Sequence, residues 1–268
     1  MNLAPKTLLS TAGHDPSSGA GVTADLAVMA AHGYFGTSAV TALTVQSTVG
    51  VKLLQPVNAD FLQQTLDFLT EDLPPAGVKI GMLATVENVR AVAAFVRKLL
   101  SVHTKIPVVL DPIIRSSSGR VLLDDDGLEV MRQELLPLVD FVTPNVEELS
   151  ALLGRALSGR EAIAAAAQEL ANCGRGLNVV ATGGDREASD FVWLASGTGH
   201  WLDGEKIASS STHGTGCAFS SALLCRLCDG DDGLLAAQRA KLYVIEAIRR
   251  ATPIGSGKGP MNLLWPLR

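Results

Sequence analysis

The chain has 268 residues, of which 47% are hydrophobic and 18% are charged, and its net charge is −5. This length and composition suit one α/β domain with a sizeable core, and the acidic balance argues against nucleic acid or an anionic membrane as the main partner. No apolar stretch reaches the roughly 18 residues of a membrane span, and no long apolar leader precedes the first strand. We therefore expect a cytoplasmic protein that forms a single domain over residues 1–268.

Short β-branched runs and longer helical patterns alternate along the chain. In chain order they predict a strand at 7–12, a helix at 20–32, strands at 37–46 and 51–56, a helix at 59–71, a strand at 78–80 and a helix at 86–100. Next come a strand at 107–110, a helix at 127–136 behind the acidic cap residues 124–126, a strand at 141–142 and helices from 146 and over 161–171. The last elements are strands at 177–181, 191–195 and 200–202, the final two as a hairpin, and helices at 218–228 and 234–250. This alternation predicts an α/β fold with a mostly parallel sheet covered by helices on both faces.

Functional residues in such a sheet are expected where the strands end, because ligands bind beyond the carboxyl ends of parallel strands. Candidate groups follow most of the predicted strands, at Gly13-His14-Asp15, Gln46, Gly81-Met82, Asp111, Asn145 and Thr182-Gly183-Gly184. These positions are far apart in sequence, but the fold brings them to one edge of the sheet. We therefore expect one composite site at this edge.

The segment 212–220 predicts an anion site. Gly214, Thr215 and Gly216 precede an apolar helix, so their backbone N–H groups are expected at the positive end of the helix dipole, where phosphate binds best. Cys217 closes the turn, and a thiol at a helix N-terminus is expected to have a lowered pKa. It would then act as a base or as a hydrogen-bond partner to a substrate hydroxyl, unless it is only a small buried residue. The segment indicates phosphoryl transfer without a Walker-type loop.

Two other glycine-rich segments fit nucleotide motifs only in part. Residues 19–24 have the spacing of a dinucleotide-binding turn, but no Asp or Glu occurs between Asp25 and Asp60 to contact a ribose. Residues 255–260 lack the first glycine of a Walker loop and have no strand–loop–helix context. A nicotinamide oxidoreductase is therefore the weakest functional interpretation.

Asp111, Asn145 and Glu148 are candidate ligands of Mg²⁺, because oxygen ligands at strand ends suit this hard cation. Helix capping explains Asn145 equally well. His14 and His213 flank glycine turns, where each would either contact phosphate or cap a turn.

Several blocks in a fixed order resemble one enzyme family. They are residues 13–26, 41–48, 79–83, 110–112, 143–145 and 212–217, and residues 240–243 and 257–260 extend the match to the C-terminus. In these blocks the sequence is similar to hydroxymethylpyrimidine/phosphomethylpyrimidine kinases of thiamine biosynthesis. The resemblance covers essentially the whole chain, and it implies a ribokinase-like fold, a three-layer α/β/α sandwich with a mostly parallel central sheet.

The resemblance also implies an activity and its residues. Members phosphorylate 4-amino-5-hydroxymethyl-2-methylpyrimidine with Mg-ATP, and then phosphorylate the monophosphate to the diphosphate. The implied substrate residues are Gly13, Ala20, Asp25, Gln46 and Met82, of which the Gln46 amide both donates and accepts, as an aminopyrimidine edge requires. The implied catalytic residues are Gly214, Thr215, Gly216 and Cys217, the last in the place where many ribokinase relatives carry an aspartate base.

The expected cofactors are ATP and Mg²⁺, with a monovalent cation left open. The predicted nucleotide contacts are Thr182, Gly183, Gly184, His213 and Lys241, and the predicted metal ligands are Asp111, Asn145 and Glu148. Three residues depart from the family pattern. Thr182 and Asp185 stand where many members have a lysine and a histidine, which removes a positive charge near the ATP phosphates, and Ser18 replaces a common glycine.

Alternative functions remain. Pyridoxal kinase is the nearest, because it phosphorylates a hydroxymethyl group on a similar aza-ring within a similar fold, and dual specificity is also open; Gln46 and residues 13–21 favour the pyrimidine. The anion site with Cys217, Asp111 and Glu148 argues against a non-catalytic pyrimidine-binding module. The edge strand predicted at 51–56 offers a pairing surface for a homodimer, and residues 115–119 are the candidate closing loop.

Overall fold

The computed structural model describes residues 4–102, 105–174, 176–183 and 188–267. Its strands are β1 (Thr7–His14), β2 (Phe35–Ser47), β3 (Gly50–Pro56), β4 (Val78–Ile80), β5 (Val108–Leu110), β6 (Phe141–Val142), β7 (Asn178–Ala181), β8 (Asp190–Leu194) and β9 (Thr198–Leu202). Its α-helices are α1 (Gly21–Ala31), α2 (Ala59–Asp72), α3 (Val86–Val102), α4 (Asp125–Val130), α5 (Val146–Leu152), α6 (Arg160–Ala171), α7 (Thr215–Cys228) and α8 (Gly233–Arg249). Within the described ranges, no helix combines the length and the apolar character that crossing a membrane requires.

The strands form one sheet in the order β3-β2-β1-β4-β5-β6-β7-β8-β9. The strands from β2 to β7 in this order pair in parallel. At the two edges, β3 pairs antiparallel with β2, and β8 and β9 form an antiparallel hairpin beside β7. The prediction of a mostly parallel sheet with a final hairpin is confirmed.

Helices cover both faces of the sheet. Neighbouring residues of a strand point to opposite faces, and on β1 Leu9 packs in an apolar cluster with Val92 of α3, while Leu8 packs in a second cluster with Val28 of α1 and Leu223 of α7. The first cluster lies under helices α2 to α6, and the second lies under α1, α7 and α8. The predicted three-layer sandwich is confirmed.

One predicted helix has a different form. The segment predicted at 127–136 begins earlier, as α4, because the Asp124 side chain caps it by accepting from the Gly127 N–H (2.8 Å). It then widens into a π-helical turn over Met131–Leu135 and ends as a 3-10 turn over Leu136–Leu138. The 3-10 turn contains a proline near its start, which has no N–H to continue an α-helix.

Candidate active site

The predicted strand-end residues meet at the carboxyl edge of the sheet. Beyond β5, the Asp111 N–H donates to the carbonyl oxygen of Ile80 (2.8 Å), so the parallel ladder continues up to this carboxylate. Beyond β7, Thr182 pairs with Asn145 in a parallel bridge, and its N–H donates to the Pro144 carbonyl oxygen (2.9 Å). The structure therefore brings Asp111, Asn145 and Thr182 to the same edge, as this topology predicts.

The turn that starts α7 has the geometry of an anion site. Gly214 is the N-cap residue and has left-handed backbone angles (φ 78°, ψ 19°), which glycine adopts without steric penalty. A Cβ atom on Gly214 would lie 1.9 Å from the carbonyl oxygen of Gly19, so the loop before α1 and this turn are in backbone contact. No side chain caps the helix start, which leaves the first-turn N–H groups of Thr215 and Gly216 available to an anion.

A buried carboxylate lies directly behind this turn. A Cβ atom on Gly216 would lie 3.7 Å from Asp111 Oδ2, and the Ser220 hydroxyl of α7 donates to the same oxygen (3.2 Å). Burial raises the pKa of Asp111 to about 6, although the charge of Lys79 partly opposes this effect. A carboxylate in such surroundings favours a cation beside it.

Glu148 lies close enough to Asp111 for their charges to interact. Asn145 caps α5 by accepting from the Glu148 N–H (2.9 Å), and Glu148 Oε2 accepts from the Asn145 N–H (2.9 Å). This capping box confirms the capping explanation for Asn145. Burial, and then the charge of Asp111, raise the pKa of Glu148 to about 8. The described part of the chain contains no group of three His, Cys, Asp or Glu side chains placed to hold a metal, so the role of Asp111, Asn145 and Glu148 as metal ligands stays a prediction.

The predicted lowering of the Cys217 pKa is wrong. The thiol belongs to a residue only 6% exposed, and burial raises its pKa to about 12; the charge of Lys79 opposes this effect, while Asp111 and Asp25 add to it. Burial and these charges outweigh the helix dipole, which contributes on the order of 1 kcal/mol. Cys217 is therefore a neutral thiol at neutral pH, and this state suits the predicted hydrogen-bond role better than the role of base.

Of the residues predicted for substrate binding, Gly13, Asp25 and Met82 are buried, and Ala20 and Gln46 are half-buried. Gly13 and Met82 touch, because a Cβ atom on Gly13 would lie 2.0 Å from the Met82 methyl carbon. Ala20 precedes α1, and its N–H donates to Asp15 Oδ2 (3.0 Å). Asp25 is fully buried, so its carboxylate lies beneath the other residues and not at the surface.

Asp15 completes a cluster that the sequence placed at a strand end without assigning it a role. His213 Nε2 lies 2.7 Å from Asp15 Oδ2 and 3.1 Å from the amide nitrogen of Gln46. Burial acts to raise the pKa of Asp15, but hydrogen bonds from His213 and Ser17 outweigh it and lower the pKa. The structure thus places His213, which was predicted to contact the nucleotide, beside the predicted substrate residue Gln46.

The family departure at Ser18 falls on an unusual backbone conformation. Ser18 has a φ of 59°, which lies in the left-handed region where a glycine is favoured. The Ser18 N–H donates to the Asp15 carbonyl oxygen (3.0 Å), so this turn is tied to the same cluster. The missing glycine is therefore a local cost to stability.

The predicted nucleotide residue Lys241 is engaged within the protein. Its ammonium donates to Asp190 Oδ2 (2.9 Å) and to the carbonyl oxygens of Ala188 (2.5 Å) and Leu202 (2.7 Å). An ammonium has three N–H donors, and these contacts use all three. Asp190 also accepts from the Gly183 N–H (2.9 Å), so Lys241 holds the end of β7 against the β8–β9 hairpin.

Thr182 and Asp185 are the other two departures from the family pattern. Thr182, in the place of the family lysine, is half-buried beside Asn145. Gly184 and Asp185 lie outside the described residues.

Anion-binding backbone and buried carboxylates at the carboxyl end of a parallel sheet are what a small-molecule kinase of ribokinase-like fold requires. The family model for phosphomethylpyrimidine kinase matches residues 15–262, and the chain belongs to this family. The thiamine biosynthesis bifunctional protein ThiED of Geobacter sulfurreducens is 39% identical over 258 residues, and this chain spans only 52% of its length. The hydroxymethylpyrimidine/phosphomethylpyrimidine kinase of Haemophilus influenzae is 37% identical over 263 residues, which cover 96% of each chain.

Solved structures share the fold. The phosphomethylpyrimidine kinase from Clostridium difficile has a TM-score of 0.77 and 30% identity, covering 91% of this chain and 99% of that one. The pyridoxal kinase from Bacillus subtilis, an ADP complex, has a TM-score of 0.86 and 28% identity, and the match covers 96% of this chain and 97% of that one. The pyridoxal kinase from Staphylococcus aureus in complex with AMP-PCP and pyridoxal has a TM-score of 0.85 and 26% identity, and the match covers 97% of this chain and 94% of that one. These neighbours confirm the ribokinase-like fold and the kinase class, and their nucleotide complexes support the use of ATP.

Proposed function

We propose that this kinase phosphorylates 4-amino-5-hydroxymethyl-2-methylpyrimidine to the monophosphate and then to the diphosphate, with ATP as the phosphoryl donor, in thiamine biosynthesis. The observation that carries the proposal is similarity along 96% of the chain to an enzyme named for both steps. The contact between Gln46 and His213 supports the proposal, because Gln46 is the proposed ring-binding amide and His213 directly precedes the turn at 214–217, the proposed anion turn.

In this proposal the ring lies against Gly13, Ala20, Gln46 and Met82. In the first step the hydroxymethyl oxygen forms the new bond to the γ-phosphorus while the bond from that phosphorus to the ADP oxygen breaks, and the hydroxyl proton passes to an oxygen of the transferred phosphoryl group. In the second step a phosphate oxygen of the monophosphate attacks in the same way, and ADP again leaves. The N–H groups of the turn at 214–217 stabilise the charge on the transferred group. Because the transition state is loose, a neutral Cys217 thiol suffices as hydrogen-bond partner of the hydroxyl, and its small size leaves room for the monophosphate in the second step.

Asp111 and Glu148 would hold Mg²⁺, with Asn145 beside them. Their buried carboxyls fit this ion, because the charge of Asp111 raises the pKa of Glu148 and because Mg²⁺ uses one or two carboxylates together with water and phosphate oxygens. When bound, the ion neutralises charge on the phosphates.

Pyridoxal kinase activity is the second candidate. The two pyridoxal kinases match the fold with TM-scores of 0.86 and 0.85, above the 0.77 of the phosphomethylpyrimidine kinase. A shared fold does not select a substrate, and the family model and the relatives named above favour the pyrimidine.

We also propose that residues 1–268 form one cytoplasmic domain that dimerises along β3. This strand is an edge of the sheet, and Leu43, Val45 and Leu53 on the β2–β3 hairpin are 52%, 52% and 57% exposed. An apolar, unpaired edge invites strand pairing. Light scattering should give twice the chain mass for the wild type and the single-chain mass for Leu53→Lys.

Mass spectrometry of the products tests the main proposal. Purified protein and Mg-ATP are incubated with the hydroxymethylpyrimidine in one reaction and with pyridoxal in another. The proposal predicts one and then two phosphoryl additions to the pyrimidine, with little product from pyridoxal. A single addition to pyridoxal alone would move the function to the second candidate.

A further inference from the structure

A buried ion pair lies beneath the anion turn and has no part in the mechanism described so far. Lys79 of β4 and Asp25 of α1 are both fully buried, and the Lys79 ammonium lies 3.0 Å and 2.9 Å from the two carboxylate oxygens of Asp25. Replacing such a pair by uncharged residues of similar shape is often neutral for stability. Stability alone therefore does not account for a full charge pair at this place.

Asp25 ties the elements of the site together. Besides Lys79, its carboxylate accepts from the hydroxyl of Ser10 on β1 (2.6 Å) and from the hydroxyl of Ser221 on α7 (2.9 Å). One carboxylate thus joins β1, β4, α1 and α7. The first turn of α7 is the anion turn, and α1 follows the loop that touches it at Gly19.

The ion pair is oriented with its positive end towards the site. Lys79 and Asp25 act in opposite directions on the pKa values of Asp111 and Cys217, and at both groups the effect of Lys79 is the larger. The ammonium is also close to the strand end, since a Cβ atom on Gly81 would lie 2.9 Å from Lys79 Nζ. Fixed positive charge behind a phosphoryl site stabilises the transition state without reorganisation.

We propose that Lys79 is a positioning residue for phosphoryl transfer. Together with Asp25, its fixed counter-ion, Lys79 sets the position of the start of α7 and supplies positive charge beneath the turn at 214–217. The inference rests on the proposed function only in that a phosphoryl group must be transferred at this turn. It holds for either ring as the acceptor.

A charge-balanced double-mutant cycle tests the proposal. The four proteins are the wild type, Lys79→Met, Asp25→Asn and the double variant, which replaces both charges by residues of similar shape. Each single variant leaves one buried charge without its partner and should unfold at lower urea, whereas the double variant should recover the wild-type midpoint. We expect kcat to fall by about tenfold or more in both proteins that lack Lys79, with KM values within about threefold of the wild type.

A purely structural ion pair gives a different pattern. In that case kcat follows stability, and the double variant recovers both, which would overturn the proposal. The wild type is first assayed with both rings, and the cycle is then run with whichever it phosphorylates. A failure of the proposed function therefore appears in the wild type, and a failure of this inference appears only in the cycle.

A milder variant keeps the test decisive if Lys79→Met does not fold. Ser221→Ala deletes the one hydroxyl that links Asp25 to α7 and leaves both charges in place. We expect kcat to fall about threefold or more, with KM unchanged. An unchanged kcat in this variant would contradict the positioning role.

Discussion

The loop at residues 254–259 packs against the tip of the β2–β3 hairpin. A single methyl group added to this loop should weaken the contact. Gly255 has a φ of 78°, and a Cβ atom there would lie 2.4 Å from Thr48 Oγ1 and 2.7 Å from Thr48 Cγ2. Thr48 is two residues beyond Gln46, the proposed ring-binding residue. The other end of the loop is bonded to the anion turn, because the His213 N–H donates to the Gly259 carbonyl oxygen (3.0 Å).

Gly255→Ala combines two costs. The left-handed backbone costs a non-glycine residue about 1 kcal/mol, and the overlap with Thr48 costs about 1–3 kcal/mol, so we expect the free energy of unfolding to fall by about 2–4 kcal/mol. Urea unfolding measures this loss. The KM for the pyrimidine should also rise, because relief of the overlap displaces the strand end that carries Gln46.

Three control variants separate the two costs. Gly197→Ala has a similar φ (89°) with nothing within 4 Å of its Cβ position, and it should show only the backbone cost. Thr48→Ala should rescue most of the overlap in Gly255→Ala. It should not rescue Gly257→Ala, whose Cβ would lie 2.1 Å from the Thr48 carbonyl oxygen. Equal losses in Gly255→Ala and Gly197→Ala, or no rescue by Thr48→Ala, would refute the reasoning.

Cys217→Ser should keep kcat within about tenfold of the wild type, because a hydroxyl replaces the hydrogen bond, whereas loss of a true base costs about 10²–10⁴-fold; steady-state kinetics decide between them. Ser18→Gly should raise the free energy of unfolding by up to about 1 kcal/mol by relieving the left-handed serine. For Asp111 and Glu148 the folded state binds more protons than the unfolded state between about pH 4 and their raised pKa values of about 6 and about 8. Their contribution to stability therefore falls as the pH rises through this window, and calorimetry should find a larger gain in Tm from Mg²⁺ at pH 8 than at pH 5.

The sequence predicts the fold well because its signals are local. Hydrophobic period and turn residues predict every β-strand and α-helix of the described residues but not the 3-10 turn at 265–267, and the predicted bounds differ from the structure by at most three residues outside 127–136. In that segment the apolar pattern continues through a π turn and a proline, which periodicity alone does not register. The rule that ligands bind at strand ends then places Asp111, Asn145 and Thr182 together.

The electrostatics of the site are harder to predict because they depend on distant partners. A helix start predicts a lowered thiol pKa for Cys217, but the opposing burial, and the charges of Asp111 and Asp25, exist only in the fold. The same holds for the His213–Asp15 contact, whose partners are 198 residues apart in sequence. Lys79 lies in a motif of the family, but a lysine beside two apolar strand residues gives no sign that it is fully buried with Asp25.

The proposed ring-binding residues and the proposed phosphoryl site are in direct contact. Gly19 and Gly214 touch through backbone with no space for a side chain, so the loop before α1 and the turn at 214–217 pack directly against each other. His213 precedes that turn and contacts both Asp15 and Gln46. We therefore expect a change that moves the ring to move the turn as well. For a fold shared with pyridoxal kinases at a TM-score of 0.86, we therefore expect small changes around His213 to alter the preferred ring by shifting the hydroxyl relative to the phosphoryl group, without a change of fold.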